Sequence, residues 1–229
     1  MNDLAVIETI LRNRFHFFLE IRDGVKLQAK MRAMLVSSII FLALYGAVMG
    51  STHSLWQALS SAVKLPVLFV ATLVVCSPTL YFFNVLFGSN QSLTQNVTLI
   101  LTAITVTSVL LLSFAPIVLF FLLTTSGYQF FKLLNVGIFA LSGWMGVWFL
   151  SQGMQIVSAA GKQGIGSRRI VTWLWVLLYA FVGSQMAWTL RPFVGAPSMK
   201  FELFRQLGGN FYSNVLASIG ELLGFFVVR

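Results

Sequence analysis

Apolar residues in this chain fall into five long runs, preceded by a segment with a different rhythm. In residues 3–22, Leu4, Ile7, Leu11, Phe15, Phe18 and Ile21 recur every three or four positions, the spacing of one helical face. Arg12, Arg14, Glu20 and Arg22 fall mostly off that face. The pattern predicts a basic amphipathic helix, closed by Asp23 and Gly24. Aromatic residues with flanking Arg suit a helix lying in a membrane interface. The same stripe equally suits packing on the protein's own helices.

The five runs predict spans at about 34–50, 65–87, 94–124, 128–150 and 171–190. A helix needs roughly 20 residues to cross a hydrocarbon core of roughly 30 Å. The first run is short by that measure and the third is long enough to tilt. Residues 51–63 form a polar interlude with a short stripe of Leu55, Trp56, Leu59 and Val63. Pro66 falls in the predicted first turn of the second span, where a missing N–H is harmless. Pro78 and Pro116 fall inside spans and predict kinks. Residues 88–92 predict a tight turn and 153–169 a flexible polar linker. In the tail, Phe201, Phe204, Leu207 and Phe211 predict an amphipathic face broken at Gly208 and Gly209. Residues 211–228 predict an interfacial or partly embedded helix, with a sixth crossing as the alternative.

The expected fold is therefore all-α: a polytopic membrane protein of about five transmembrane helices with amphipathic helices at both ends. Residues 1–32 form the basic N-terminal part, 33–190 the transmembrane domain and 191–229 the C-terminal part.

Composition agrees with lipid as the solvent. The chain is 58% apolar and only 9% charged, against about 25% charged in a soluble domain. The net charge of +9 does not point to nucleic acid, because the basic residues flank the apolar runs. No cleavable signal peptide is expected, since the first long apolar run starts near residue 33. With the N-terminus in the cytoplasm, nine basic residues lie inside and six outside. That positive-inside bias favours a cytoplasmic N-terminus, and a bacterial inner membrane is the expected location.

Small residues recur at helical spacing in three spans: Gly46 and Gly50; Gly137, Ser142, Gly143 and Gly146; Ala180, Gly183, Ser184 and Ala187. Such rows let a second backbone approach closely. Gln185 needs a polar partner at depth, for which Asn84 and Asn135 qualify by type. Arg191 and Pro192 close the fifth span, and with Trp188 they form a candidate partner contact.

Candidate chemistry is sparse. The six acidic residues are Asp3, Glu8, Glu20, Asp23, Glu202 and Glu221, none within the predicted spans. That disfavours ion-coupled transport, which places carboxylates at depth, and it disfavours paired-carboxylate catalysis. One cysteine, Cys76, and two separated histidines offer no metal site, and no cofactor is expected. His53 is the one histidine placed to act as a ligand or proton carrier. Gly161, Gly164 and Gly166 lack the spacing of a phosphate loop. Asn90 and Asn96 head glycosylation tripeptides, in poor positions against a bilayer.

The stretches Lys64-Leu-Pro-Val-Leu-Phe69 and Ser113-Phe-Ala-Pro116, the latter followed by a long apolar run, resemble bacterial Yip1-like multi-pass membrane proteins. The resemblance covers about residues 33–190 and extends to a five-span order with a tight second hairpin. It implies a five-helix membrane domain concerned with membrane organisation or trafficking. It does not account for the basic N-terminal helix or for residues 188–195. The expected function is a non-enzymatic membrane subunit or scaffold of a larger complex, with protein partners and a possible homo-oligomer. The alternative is a small oligomeric channel or transporter, with a pore lined by carbonyls freed at Pro78 or Pro116.

Overall fold

A computed structural model describes residues 3–51, 54–86, 91–125, 127–158, 165–195, 201–204 and 209–223. Its helices are α1 (Asp3–Arg12), α2 (Arg14–Arg22), α3 (Leu27–Gly50), α4 (Leu55–Leu86), α5 (Leu93–Thr124), α6 (Tyr128–Ser158), α7 (Ile165–Leu190) and α8 (Phe211–Leu222). Five of them, α3 to α7, are long and apolar enough to cross a membrane. The protein is an all-α integral membrane protein. At about 1.5 Å per residue, the twelve residues of α8 reach roughly 18 Å; the last part of the expected final helix, residues 224–228, lies outside the described residues.

α5 is the central helix, packed on α3, α4 and α6. Its buried face is rich in hydroxyls, which lipid would make costly if they stood alone. Thr98, Thr102, Thr105 and Thr107 each donate to the carbonyl four residues earlier, at 2.7–2.9 Å. The Ser38 and Thr105 hydroxyls meet at 3.1 Å across the α3–α5 seam. Tyr45 donates to Asn135 Oδ1 at 2.8 Å, tying α3 to α6.

Gly46 and Gly50 bring α3 against the first half of α4. A Cβ at Gly46 would overlap the Ser61 carbonyl oxygen, and one at Gly50 would lie 2.5 Å from that of Gln57. On α6, Gly146 sits against α5, where a Cβ would overlap Thr107 Oγ1 and lie 2.7 Å from the Ala103 carbonyl oxygen. Gly143, three residues earlier, has open space where its Cβ would be, as has Gly137. Successive helical positions are about 100° apart, so one strip of α6 meets α5 and Gly143 falls beside it.

Several boundaries differ from the sequence expectation, each for a tertiary reason. The N-terminal stripe is two helices rather than one, because Asn13 (φ −133°, ψ 50°) breaks it. The buried face stays in phase across the break: Val6, Ile7 and Ile10 are buried on α1, and Phe17, Phe18 and Ile21, seven or eleven positions on, on α2, while Leu11 and Phe15 point outward. α3 begins at Leu27 rather than near 34. Its added turns hold Lys30, buried, 2.7 Å from the Glu20 carboxylate and 3.0 Å from the Val25 carbonyl.

The polar interlude and the second span are one helix, α4, with Pro66 in its interior rather than its first turn. Pro78 and Pro116 lie within α4 and α5 and face outward. α6 continues eight residues past Leu150, to Ser158, since Gly153 receives the Phe18 ring from α2. A Cβ there would lie 2.6 Å from Phe18 Cε1 and 2.7 Å from Leu99 Cδ2.

The tail stripe is not continuous. Residues 201–204 are non-helical, and α8 starts afresh at Phe211 behind a reciprocal Asn210–Ser213 cap. Ser92 and Gln95 form the same kind of cap on α5.

Asn84 and Asn135 are not partners of Gln185. Asn84 donates to Asn96 Oδ1 at 2.5 Å, and Gln91 donates to Ser158 at 2.7 Å, closing the other end of the bundle. Asn96 is fully buried in this cluster, so its tripeptide cannot meet a glycosylating enzyme. His53, Asn90, Gly161, Lys162 and Gly164 lie outside the described residues.

Candidate functional site

α7 packs on α4 and on α8, but not along α6. Trp175 fixes it, buried, with its indole N–H donating to the Cys76 carbonyl at 3.0 Å. The outer face of α7 (Ile170, Leu174, Phe181) is exposed and apolar, as contact with lipid requires. Between α6 and α7 a cleft remains, about 920 Å³ in volume, floored by α4 and α5. Sites for small molecules run to roughly 300–1,000 Å³.

Different residues line the two ends of the cleft. At one end the Trp144 and Trp173 rings meet across α6 and α7 with centroids 6.2 Å apart. At the other stand α8 and the segment after α7, from which Arg191, Pro192, Phe193 and Val194 line the cleft. The middle is lined by small residues, Ala140, Gly143, Ala180, Gly183 and Ala187 among them. Gly183 is in ordinary contact with Thr72 Cγ2, at 3.8 Å, rather than at a close backbone approach. Of the sequence candidates, Gly143, Gly146, Gly183, Ala187, Trp188, Arg191 and Pro192 all reach this cleft. Gly46, Gly50, Pro78 and Pro116 do not line it.

The segment after α7 is held by a polar row on α4. Gln57, Ser61 and Lys64 are spaced by four and three, hence on one face. Gln57 Nε2 donates to the Pro192 carbonyl at 2.9 Å and Ser61 to that of Phe193 at 2.6 Å. Lys64 Nζ donates to the Pro192 carbonyl at 3.4 Å and to that of Leu203, and lies 4.8 Å over the Phe204 ring. The Arg191–Pro192 peptide is cis. Sequence reading passed over this row as part of a polar interlude; its signal was the helical spacing of three polar residues within an apolar run.

Gln57→Leu should leave the Pro192 carbonyl with only its longer bond. About 1–3 kcal/mol of local stability should be lost, seen as faster amide exchange at Phe193 and Val194 with α5 unchanged. Equal exchange in the variant would show that Ser61 and Lys64 hold the segment without Gln57.

The anchored segment places Arg191 over Trp188, its guanidinium carbon 3.4 Å from the ring centroid. Opposite, Lys132 donates to Asn214 Oδ1 at 3.0 Å. Gln129 donates to the Glu221 carboxylate at 2.7 Å, so α8 is tied to α6. Among the described residues, Gln129 Oε1, Tyr179 OH and Trp188 Nε1, all on cleft residues, are buried and meet no hydrogen-bond partner. No family model, curated protein or solved structure matches this chain.

Proposed function

We propose that the protein is a non-enzymatic membrane subunit or scaffold that acts by binding, and that the cleft between α6 and α7 is where it binds. The observation carrying this reading is a large, partly open apolar cleft between two spans, flanked by small residues. Helix bundles in lipid are held by close packing, so a gap of this size between two spans favours a resident ligand. The hydroxyl row of α5 is spent on its own helix and on the α3 seam, which supports binding over conduction. The charge count supports a cytoplasmic N-terminus.

The test is a photoreactive residue at position 143, with position 137 as the control. Both glycines have room for a side chain, but only Gly143 lines the cleft. In native membranes, position 143 should give one discrete adduct and position 137 only diffuse lipid labelling. The same pattern from both positions would sink the reading.

A further inference from the structure

We infer that the outward face of α1 and the start of α2 is a docking surface for a membrane-spanning helix of another protein, one that carries a carboxylate near the middle of its span. This surface lies apart from the cleft between α6 and α7 and does not rest on it. It follows from the depth at which the N-terminal helices are held.

Ile7, Glu8, Leu11 and Arg12 of α1 line one recess with Phe41 of α3 and Val109, Leu112 and Ser113 of α5. α5 has 32 residues and α3 has 24, and a crossing takes roughly 20. Wherever the hydrocarbon layer is laid along α5, it therefore includes Val109 and Leu112. Along α3 it always includes Phe41. α1 is thus held at hydrocarbon depth. Arg14 opens α2 with its guanidinium 5.1 Å from the Trp148 ring. Trp148 is about half a turn of α6 past Gly146, which sits against Ala103 and Thr107 of α5.

The outward side of this pair is unlike the outer face of α7. Glu8 and Arg12 form an ion pair of 2.6 Å, with side chains 61% and 79% exposed. Arg14 and His16 are exposed beside them. Charged groups at this depth are costly against lipid, and face protein or water instead. Leu11 and Phe15 stand exposed among them, and apolar side chains of that size lose by facing water. A protein helix satisfies both kinds of residue at once.

Charge selects the chemistry of that helix. The face carries two arginines and one carboxylate, so a partner carboxylate completes the balance through a charge-assisted hydrogen bond. A second copy of this chain is poorly suited to supply it. Its helices α3 to α7 hold no acid, Glu8 is engaged by Arg12, and Glu20 is engaged by Lys30.

The test uses the full chain reconstituted in phosphatidylcholine vesicles with a synthetic transmembrane peptide. The peptide is a Leu and Ala helix with one Asp at mid-span, and its control has Leu there. Energy transfer from labelled peptide to labelled protein reads the association. The wild type should bind the Asp peptide about tenfold more tightly than the Leu peptide, which corresponds to about 1.4 kcal/mol. Arg12→Gln with Arg14→Gln should remove the preference, and Arg12→Lys with Arg14→Lys should keep it. Lys132→Gln, at the other end of α6, should leave it unchanged. Should the double Gln variant fail to fold, Arg14→Gln alone should lower the preference. In native membranes, Leu11→Cys in a Cys76→Ala chain should resist a membrane-impermeant thiol reagent, whereas Arg22→Cys should react.

Equal binding of the two peptides by the wild type, or an Asp preference that survives in the Gln variants, overturns the inference. So does labelling of Leu11→Cys as fast as Arg22→Cys, which would put water where the partner should lie. Self-association of the wild type that the Gln variants abolish also overturns it, with a second copy as the occupant. None of these outcomes bears on the cleft, which is judged by the adduct at position 143.

Discussion

Gly46→Ala combined with Gly50→Ala is expected to separate α3 from α4. Each new methyl would meet a backbone carbonyl oxygen of α4, at Ser61 and at Gln57, rather than the movable end of a side chain. Backbone cannot give way without moving the helix. Overpacking costs about 1–3 kcal/mol per site, so the pair should lose roughly 2–6 kcal/mol, a large part of the usual 5–15 kcal/mol. The two sites share one seam, and their effects should not add simply.

The loss should spread, because Gln57 and Ser61 also anchor the segment after α7. The measurement is thermal unfolding in mild detergent. A double variant with wild-type melting would mean that the α3–α4 seam is looser than the structure shows. The same pair of Ala at Gly137 and Gly143, which face open space, should leave melting unchanged.

Phe18→Ala is expected to release α2 from the bundle, while Phe15→Ala leaves it docked. Phe18 is fully buried, with its ring against Gly153 of α6, whereas Phe15 is 60% exposed. Truncating a buried Phe costs about 3–5 kcal/mol, part transfer and part cavity. Limited proteolysis after Arg22 reads the release directly. Cutting should rise strongly for Phe18→Ala and hardly at all for Phe15→Ala. The reverse order would mean that α2 docks through its Phe15 side. The rest of the contact is weaker: Arg14 lies 5.1 Å from the Trp148 ring, and Gln95 donates to the Ile21 and Arg22 carbonyls at 3.2 and 2.9 Å.

The difference between those two phenylalanines shows how far the sequence could be read. Both lie on the apolar stripe of residues 3–22, and periodicity treats them alike. Both sit on one helix, α2, three residues and about 60° apart, and the neighbouring helices cover the side that carries Phe18 and leave Phe15 outside. Periodicity marks a broad apolar stripe and cannot tell which edge of it a neighbour will cover. Likewise Gly143 and Gly146 are equivalent small residues in sequence. Gly146 lies under α5 and Gly143 opens on the cleft, because a neighbour covers only one strip of a helix.

The sequence by itself determined the solvent and the topology. Five apolar runs of spanning length and a charge content of 9% admit little but helices in lipid, since every backbone polar group there must be satisfied within its own segment. The α3–α4 glycine pair was legible for the same local reason, because residues four apart share a face.

Tertiary structure alone decided where the helices end and where the site lies. α3 starts early because Glu20, from another helix, neutralises Lys30. α6 runs on because Phe18 covers Gly153. α4 absorbs the polar interlude because Gln57, Ser61 and Lys64 find carbonyls more than 120 residues away in sequence. The cleft exists because α7 packs on α4 instead of α6. That is a choice between two apolar neighbours, and hydropathy is blind to it: lipid, α4 and α6 are alike apolar, and only shape and a few buried hydrogen bonds distinguish them.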